Sequence, residues 1–335
     1  FWSLAVFSSD PRALQPAETS SNNNASQLQT EVMAEPQGLL RTYRGNCHCK
    51  EFVYEAEMPE IHAANECNCS ICTKKGALWV FPLKDSFHWV KGDEDDLTDY
   101  TFGRELVVHK FCPTCGTSLF ARGFMHEPQP GDEPFFALNA RAIQHLNIYN
   151  LERRPTGLTP SPSFDGASLP PPYDPPPFIG PEPEANIRGG KVYHGSCHCG
   201  AVTLALKSKP LDSSYSSGMA ECNCSICSRL GVAWLYPKAN QIVMNGQDHL
   251  TYYIMGNRML AKGFCEICGV PIDNRFQELN GIETSCLSYR NQIFYAISKD
   301  GWFLNAKIMN DIDFSQMRVR HLNGWNDHKP SYVNP

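Results

Sequence analysis

Apolar positions along this chain come in short bursts rather than in a helical rhythm. Phe52-Val-Tyr54, Leu78-Trp-Val-Phe81, Leu106-Val-Val108 and Phe135-Phe-Ala-Leu138 are aromatic or β-branched runs bounded by Gly, Pro and charge. Such runs read as short strands, because these side chains pack well on a pleated, half-buried surface. A second series follows in Val202-Thr-Leu204-Ala-Leu206, Val232-Ala-Trp234-Leu-Tyr236 and Phe294-Tyr-Ala-Ile297. No segment sustains the i, i+3, i+4 spacing of a long amphipathic helix. The pattern predicts a mostly β protein, its strands mostly antiparallel.

The two series line up because the chain repeats itself. Tyr43-Arg-Gly45-Asn-Cys47-His-Cys49 answers Tyr193-His-Gly195-Ser-Cys197-His-Cys199, and Gly76-Ala-Leu-Trp79-Val-Phe-Pro82 answers Gly231-Val-Ala-Trp234-Leu-Tyr-Pro237. Later, Leu138-Asn-Ala-Arg141 echoes Leu304-Asn-Ala-Lys307. Order and spacing hold, so the organisation expected is two tandem copies of one domain, at 39–154 and 189–328. Between them, residues 155–188 are dense in proline, which removes backbone donors and favours an extended, semi-rigid strap. Phe164, Tyr173 and Phe178 would let this strap lie across a domain surface. Residues 8–32 are rich in Ser, Asn and Gln, and the segment 1–38 is expected to be disordered.

At 335 residues and 42% hydrophobic content the chain can build two ordinary cores. A net charge of −6 and a pI near 6.0 make no electrostatic bid for nucleic acid or an anionic membrane. No apolar run reaches membrane-spanning length, and the opening Phe1–Phe7 lacks the flanks of a signal peptide. The expected compartment is the cytoplasm, with the nucleus as a second place for it.

Cysteine changes the picture most. Of fifteen, fourteen fall into two sets of seven. The first set is Cys47 and Cys49, then Cys67, Cys69 and Cys72, then Cys112 and Cys115. The second is Cys197 and Cys199, then Cys222, Cys224 and Cys227, then Cys265 and Cys268. Closely spaced Cys-x-Cys and Cys-x-x-Cys pairs suit two bonds to one metal ion better than disulfides. Two such pairs from distant turns can supply the four thiolates of a closed structural zinc site, whose binding energy counts as folding energy. The inner trio supplies only three, so an open coordination position is the expectation for a reactive ion there. The alternative is a second structural site completed by another side chain. Cys286 has no counterpart and reads as a core residue. Trp79 and Trp234 lie on strands, as core or as walls of a pocket beside the trio. Glu66 and Glu221, one residue before each trio, are either acid–base groups or part of a solvated face.

At these motifs the chain resembles the glutathione-dependent formaldehyde-activating enzyme family, also called the centromere protein V/GFA domain. The matching elements are Gly-x-Cys-His-Cys, Cys-x-Cys-Ser-Ile-Cys and Phe-Cys-x-x-Cys-Gly, in that order, twice over, across about residues 40–150 and 190–325. The resemblance implies two tandem Mss4-like zinc-binding β domains with two Zn²⁺ each, four per chain. It implies a structural ion on Cys47, Cys49, Cys112 and Cys115 and a catalytic ion on Cys67, Cys69 and Cys72. In the second copy these roles would fall to Cys197, Cys199, Cys265 and Cys268, and to Cys222, Cys224 and Cys227. The implied activity joins or splits carbon and sulfur, with a thiol such as glutathione and an aldehyde, formaldehyde, as partners. Lys50 departs from the family's glycine, which Gly200 keeps.

The function expected is therefore a zinc-dependent carbon–sulfur lyase acting on glutathione-type thiol adducts. Lys74, Lys75 and Arg229 are candidates for drawing in the carboxylates of an anionic tripeptide. Two rivals stand beside it: a non-enzymatic tandem zinc scaffold, and the same chemistry on another small molecule.

Overall fold

The computed structural model describes residues 39–155, 165–310, 312–328 and 331–335; the segment 1–38 and the residue Phe164 lie outside them. Among the described residues, two similar, mostly β domains follow one another. Each has a three-stranded antiparallel sheet: Leu40–Asn46, Val53–Pro59 and His88–Lys91 in the first, Lys191–Ser196, Thr203–Ser208 and Ile242–Asn245 in the second. Each also has a seven-stranded sheet. In the first domain it runs Glu152–Pro155, Ala63–Glu66, Trp79–Val80, Phe135–Asn139, Ser118–Gly123, Val107–Phe111, Thr98–Tyr100. In the second the same order is Val319–Leu322, Met219–Cys222, Trp234–Leu235, Phe303–Asn305, Pro271–Phe276, Leu260–Cys265, Leu250–Ile254. The last strand of each domain pairs in parallel beside the strand leading into the trio: Glu152–Pro155 with Ala63–Glu66, and Val319–Leu322 with Met219–Cys222.

One expected strand is a helix. Phe294-Tyr-Ala-Ile297 falls within Tyr289–Ser298, which Ser288 opens by accepting the Asn291 N–H. An N-cap serine ahead of the apolar run is a start signal that outweighs strand propensity. The strand equivalent to Phe135–Asn139 is instead Phe303–Asn305, paired with Trp234–Leu235 as Phe135–Asn139 pairs with Trp79–Val80. The trios also leave the strand–turn pattern, since Ser70–Lys75 and Ser225–Leu230 are short helices capped by Cys69 and Cys224.

The two domains share a core. Ile71, Phe111, Phe264, Leu304 and Ile308 belong to one buried cluster that runs through both. Phe111 meets Phe264 edge to face at 6.3 Å. A Cβ on Gly116 would press on the Phe264 ring at 2.7 Å, and one on Gly269 on the Phe111 ring at the same distance. This reciprocity is that of a two-fold dimer joined in one chain.

Lys74, Lys75 and Arg229, expected to meet substrate, are all buried at this junction, and Lys74 alone of the three also lines the cavity beside the first trio. Lys74 Nζ donates to Ser196 O at 3.1 Å, Ile308 O at 3.0 Å and Asn310 Oδ1 at 2.9 Å. Arg229 donates to Asn46 O and Asn46 Oδ1, both at 3.2 Å. Lys75 Nζ stands 4.7 Å over the Phe111 ring. Burial pushes Lys74 and Lys75 down to about 8. Basic residues after the trio therefore fasten one domain to the other, a use that local sequence cannot distinguish from ligand capture.

The proline-rich stretch is more than a spacer. Tyr173 stacks on His198 at 4.4 Å and donates to His198 O at 3.0 Å. The C-terminal segment does the same to the other domain: Tyr332 stacks on His48 at 4.4 Å and donates to His48 O at 2.9 Å. The strap after the first domain and the tail after the second are thus copies of one element.

Candidate metal centre

Each outer cluster is built by two turns. Cys47 and Cys49 lie between Leu40–Asn46 and Val53–Pro59, and Cys112 and Cys115 between Val107–Phe111 and Ser118–Gly123. Gly116, at φ 71°, closes the second turn by donating to Cys112 O at 2.9 Å; a side chain there is strained. Lys50 takes the left-handed conformation of its counterpart Gly200, with φ 68° against 84°, so the first turn survives the substitution.

The sulfurs of Cys47, Cys49, Cys112 and Cys115 all lie within 4.8 Å of one another, as do those of Cys197, Cys199, Cys265 and Cys268. Closest separations are 3.3 Å for Cys47–Cys49, 3.5 Å for Cys49–Cys112, 3.5 Å for Cys197–Cys199 and 3.6 Å for Cys199–Cys265. Every cysteine is a free thiol. A zinc–thiolate tetrahedron with bonds of about 2.3 Å has edges of about 3.8 Å, so both of these four-cysteine clusters could hold zinc. Backbone amides already point at the sulfur: Phe52 N–H donates to Cys47 Sγ at 3.3 Å and Val202 N–H to Cys197 Sγ at 3.2 Å. Without a cation the four thiols do not ionise together: hydrogen bonds with Cys115, Cys47 and Cys49, then burial, push the Cys112 thiol up, while the hydrogen bond with Cys112 draws Cys47 down. A bound dication reverses that logic and keeps the thiolates ionised.

The inner trios stand at helix starts. Cys67 follows Ala63–Glu66, Cys69 caps Ser70–Lys75, and Cys72 sits in its first turn; the three sulfurs lie within 4.8 Å of one another. Hydrogen bonding to Cys67 and Cys69, then burial, raises the Cys72 thiol. Trp79 Nε1 donates to Cys72 Sγ at 3.2 Å and Trp234 Nε1 to Cys227 Sγ at 3.4 Å. Both indoles are core residues and cavity walls at once.

Among the described residues, no fourth His, Cys or carboxylate joins the first trio. That trio opens on a cavity of about 760 Å³ whose far wall is the strap. The lining is mainly apolar, with Phe81, Phe102, Val107, Phe124, Met125 and Phe135. His109 also reaches it, its Nδ1 buried without a hydrogen-bond partner; burial, Lys75 and His198 hold this imidazole down to about 3. The second trio meets a cavity of about 930 Å³, but there His328 brings a ligand atom within 4.8 Å of the Cys222 and Cys224 sulfurs.

The histidines of the two Cys-His-Cys motifs reach across to the opposite repeat. His48 has Nδ1 3.0 Å from Tyr253 Oη and Nε2 2.9 Å from Ser225 Oγ. His198 has Nδ1 2.6 Å from Tyr100 Oη and Nε2 2.8 Å from Ser70 Oγ. Ser70 and Ser225 directly follow Cys69 and Cys224. Each trio is thus buttressed by a side chain that leaves the four-cysteine cluster of the other domain. Burial and the Arg229 charge hold His48 down to about 3; burial, with Lys74 and Lys75, holds His198 down to about 4. Both rings are neutral near pH 7, with one nitrogen to donate and one to accept.

Sequence reasoning named Tyr173 as a residue by which the strap lies on a domain surface, but it missed His328, Tyr332 and this crossing, because each needs a contact between residues far apart in the chain or in a tail outside the repeat. The offset Tyr173/Tyr332 pair was the available signal. Glu66 and Glu221 line neither cavity; Glu221 lies 4.0 Å from Lys307. Cys286, expected in the core, is exposed, having no partner cluster to bury it.

A family model for the glutathione-dependent formaldehyde-activating enzyme matches residues 42–133 and 192–295, more than half of the chain. The chain belongs to this family, in tandem duplicate. A solved structure of a Rhodobacter sphaeroides protein is 25% identical over 33% of this chain and 99% of its own, with a TM-score of 0.28. No helix among the described residues is long and apolar enough to cross a membrane.

Proposed function

We propose that the chain is a zinc-dependent carbon–sulfur lyase that makes or breaks thiol–aldehyde adducts. The observation that carries this reading is the contrast between the four-cysteine clusters and Cys67, Cys69 and Cys72, which converge beside a cavity with no fourth His, Cys or carboxylate among the described residues. Zinc held by the trio would supply a cation that keeps a substrate sulfur ionised or polarises a carbonyl oxygen.

The rest is work for the chain. Trp79 fixes Cys72 through its indole N–H, and His198 fixes the turn after Cys69 through Ser70. The strap and the aromatic wall keep water from the adduct. In the forward direction the thiol sulfur adds to the aldehyde carbon, the carbonyl pair moves to oxygen, and the proton lost by sulfur ends on that oxygen. The His109 imidazole lines the same cavity and is neutral, so it can hold a hydrogen bond to the hydroxyl formed.

The same chemistry on a thiol less polar than glutathione has its own support: Arg229 bonds across the domain junction, Lys74 lines the cavity with its Nζ already given to three acceptors of the opposite repeat, and the wall is mainly apolar. Exchange between thiols and formaldehyde, followed by NMR for glutathione and for apolar thiols, tests both. The lyase reading expects catalysis that disappears in the Cys69→Ser/Cys224→Ser double variant; unchanged exchange in that variant ends it.

A further inference from the structure

The two trios are not equivalent. We propose that His328 is the fourth ligand of a closed zinc site with Cys222, Cys224 and Cys227, which leaves the open coordination position, and turnover, to the first repeat. This rests on the reading that the trios hold zinc.

The chain delivers His328 there by construction. Strand Val319–Leu322 runs parallel beside Met219–Cys222 and ends next to the trio. Asn223 then clamps the following turn: its Nδ2 donates to Asn323 Oδ1 at 3.0 Å, and its Oδ1 accepts the Trp325 N–H at 2.9 Å. Gly324 lets the turn settle on the sulfurs, since a Cβ there would run into Cys222 Sγ and lie 2.8 Å from Cys224 Cβ. One helical turn later the His328 N–H donates to Gly324 O at 3.0 Å, and its ring joins Cys222 and Cys224 within 4.8 Å. Cys227, the third thiolate of the trio, lies outside that group, its sulfur accepting the Trp234 Nε1–H at 3.4 Å. Three thiolates and one imidazole form one of the recurring donor sets of closed zinc sites.

The first repeat has the same clamp without the ligand. Asn68 Nδ2 donates to Asp165 Oδ1 at 2.6 Å and Asn68 Oδ1 accepts the Ala167 N–H at 3.1 Å. The residues that follow are Ser168, Leu169, Pro170 and Pro171, and at the spacing of His328 stands Pro170, whose side chain has no metal donor. The duplicated element thus ends in a donor in one copy and in proline in the other.

The test is metal release, not turnover. In the zinc-loaded full chain carrying Cys69→Ser, so that the first trio is disabled, ions are withdrawn by the chromogenic chelator 4-(2-pyridylazo)resorcinol and release is followed in time. His328→Ala should speed release of one ion by about tenfold or more, the scale on which ligand-sphere defects act. His328→Cys should restore slow release, and His328→Phe, which fills the space without a donor, should not. Unaltered release in His328→Ala, or slow release in His328→Phe, overturns the ligand role and leaves a mere cover. Zinc content unaffected by Cys224→Ser overturns the proposal at its base, since the trio then holds no ion at all.

Discussion

Gly76 and Gly231, the left-handed caps of the two thiol-bearing helices, pack on each other where the repeats meet. A Cβ on Gly231 would lie 2.8 Å from the Gly76 carbonyl oxygen, and one on Gly76 would run into that of Gly231. Two helix C-termini, each a partial negative charge, therefore face one another. Arg141 donates to Gly76 O and, at 3.2 Å, to Ser228 O, while Lys307 donates to Gly231 O at 2.7 Å. The echo of Leu-Asn-Ala-Arg and Leu-Asn-Ala-Lys in the sequence is this pair of cations, placed to offset the two ends.

Gly76→Ala and Gly231→Ala should each destabilise the chain by on the order of 1–3 kcal/mol, because a side chain there meets both a positive φ and the opposite backbone. Urea unfolding of the zinc-loaded protein measures this as a lower midpoint. An unchanged midpoint would mean that the repeats are not packed in this way.

Lys307 predicts a pH effect. Burial first, then the Arg141 charge, depresses its ammonium to about 8 from an ordinary 10.5. Between these values the unfolded chain holds the proton and the folded chain does not, so this group makes stability rise with pH, by up to about 1.4 kcal/mol per unit. Below pH 8 its burial cost is fully present. The native chain should therefore gain on Lys307→Met from pH 8 to 10.5, in paired unfolding curves under reductant; a constant difference would contradict the assignment.

Much of this was legible in the chain itself. The strands beside the clusters, the tandem copies and the grouping of cysteines into tetrads and trios follow from spacing alone, since turn and metal chemistry are local. What spacing does not carry is the junction. Lys74 and Arg229 look like surface charge until Ser196, Ile308 and Asn46 of the opposite repeat are set against them, and His48 looks like a spacer between ligands until Ser225 is found beside it. The tail behaves likewise: the proline-rich strap and the C-terminal segment are related by Tyr173 and Tyr332 amid little other similarity.

Lys74→Met separates the junction role from a substrate role. It removes the donor from three acceptors in the opposite repeat, and should lower stability by on the order of 1–3 kcal/mol while leaving the KM for an anionic thiol in place. A salt-sensitive rise in KM at unchanged stability would restore the ligand role.

His198 belongs to the second repeat yet should act on the first. His198→Ala frees Ser70 and Tyr100, and exchange at the first trio should fall by about tenfold, as for other losses of outer support, with zinc content kept. His48→Ala, which touches Ser225 instead, should spare that rate. Equal losses in both variants, or none, would contradict the crossed arrangement.

The most direct measurement compares Cys69→Ser and Cys224→Ser in the same thiol–formaldehyde exchange assay, each with its zinc content determined. The account predicts one ion fewer in each, with exchange lost in Cys69→Ser and largely kept in Cys224→Ser. Native exchange in Cys69→Ser would contradict it.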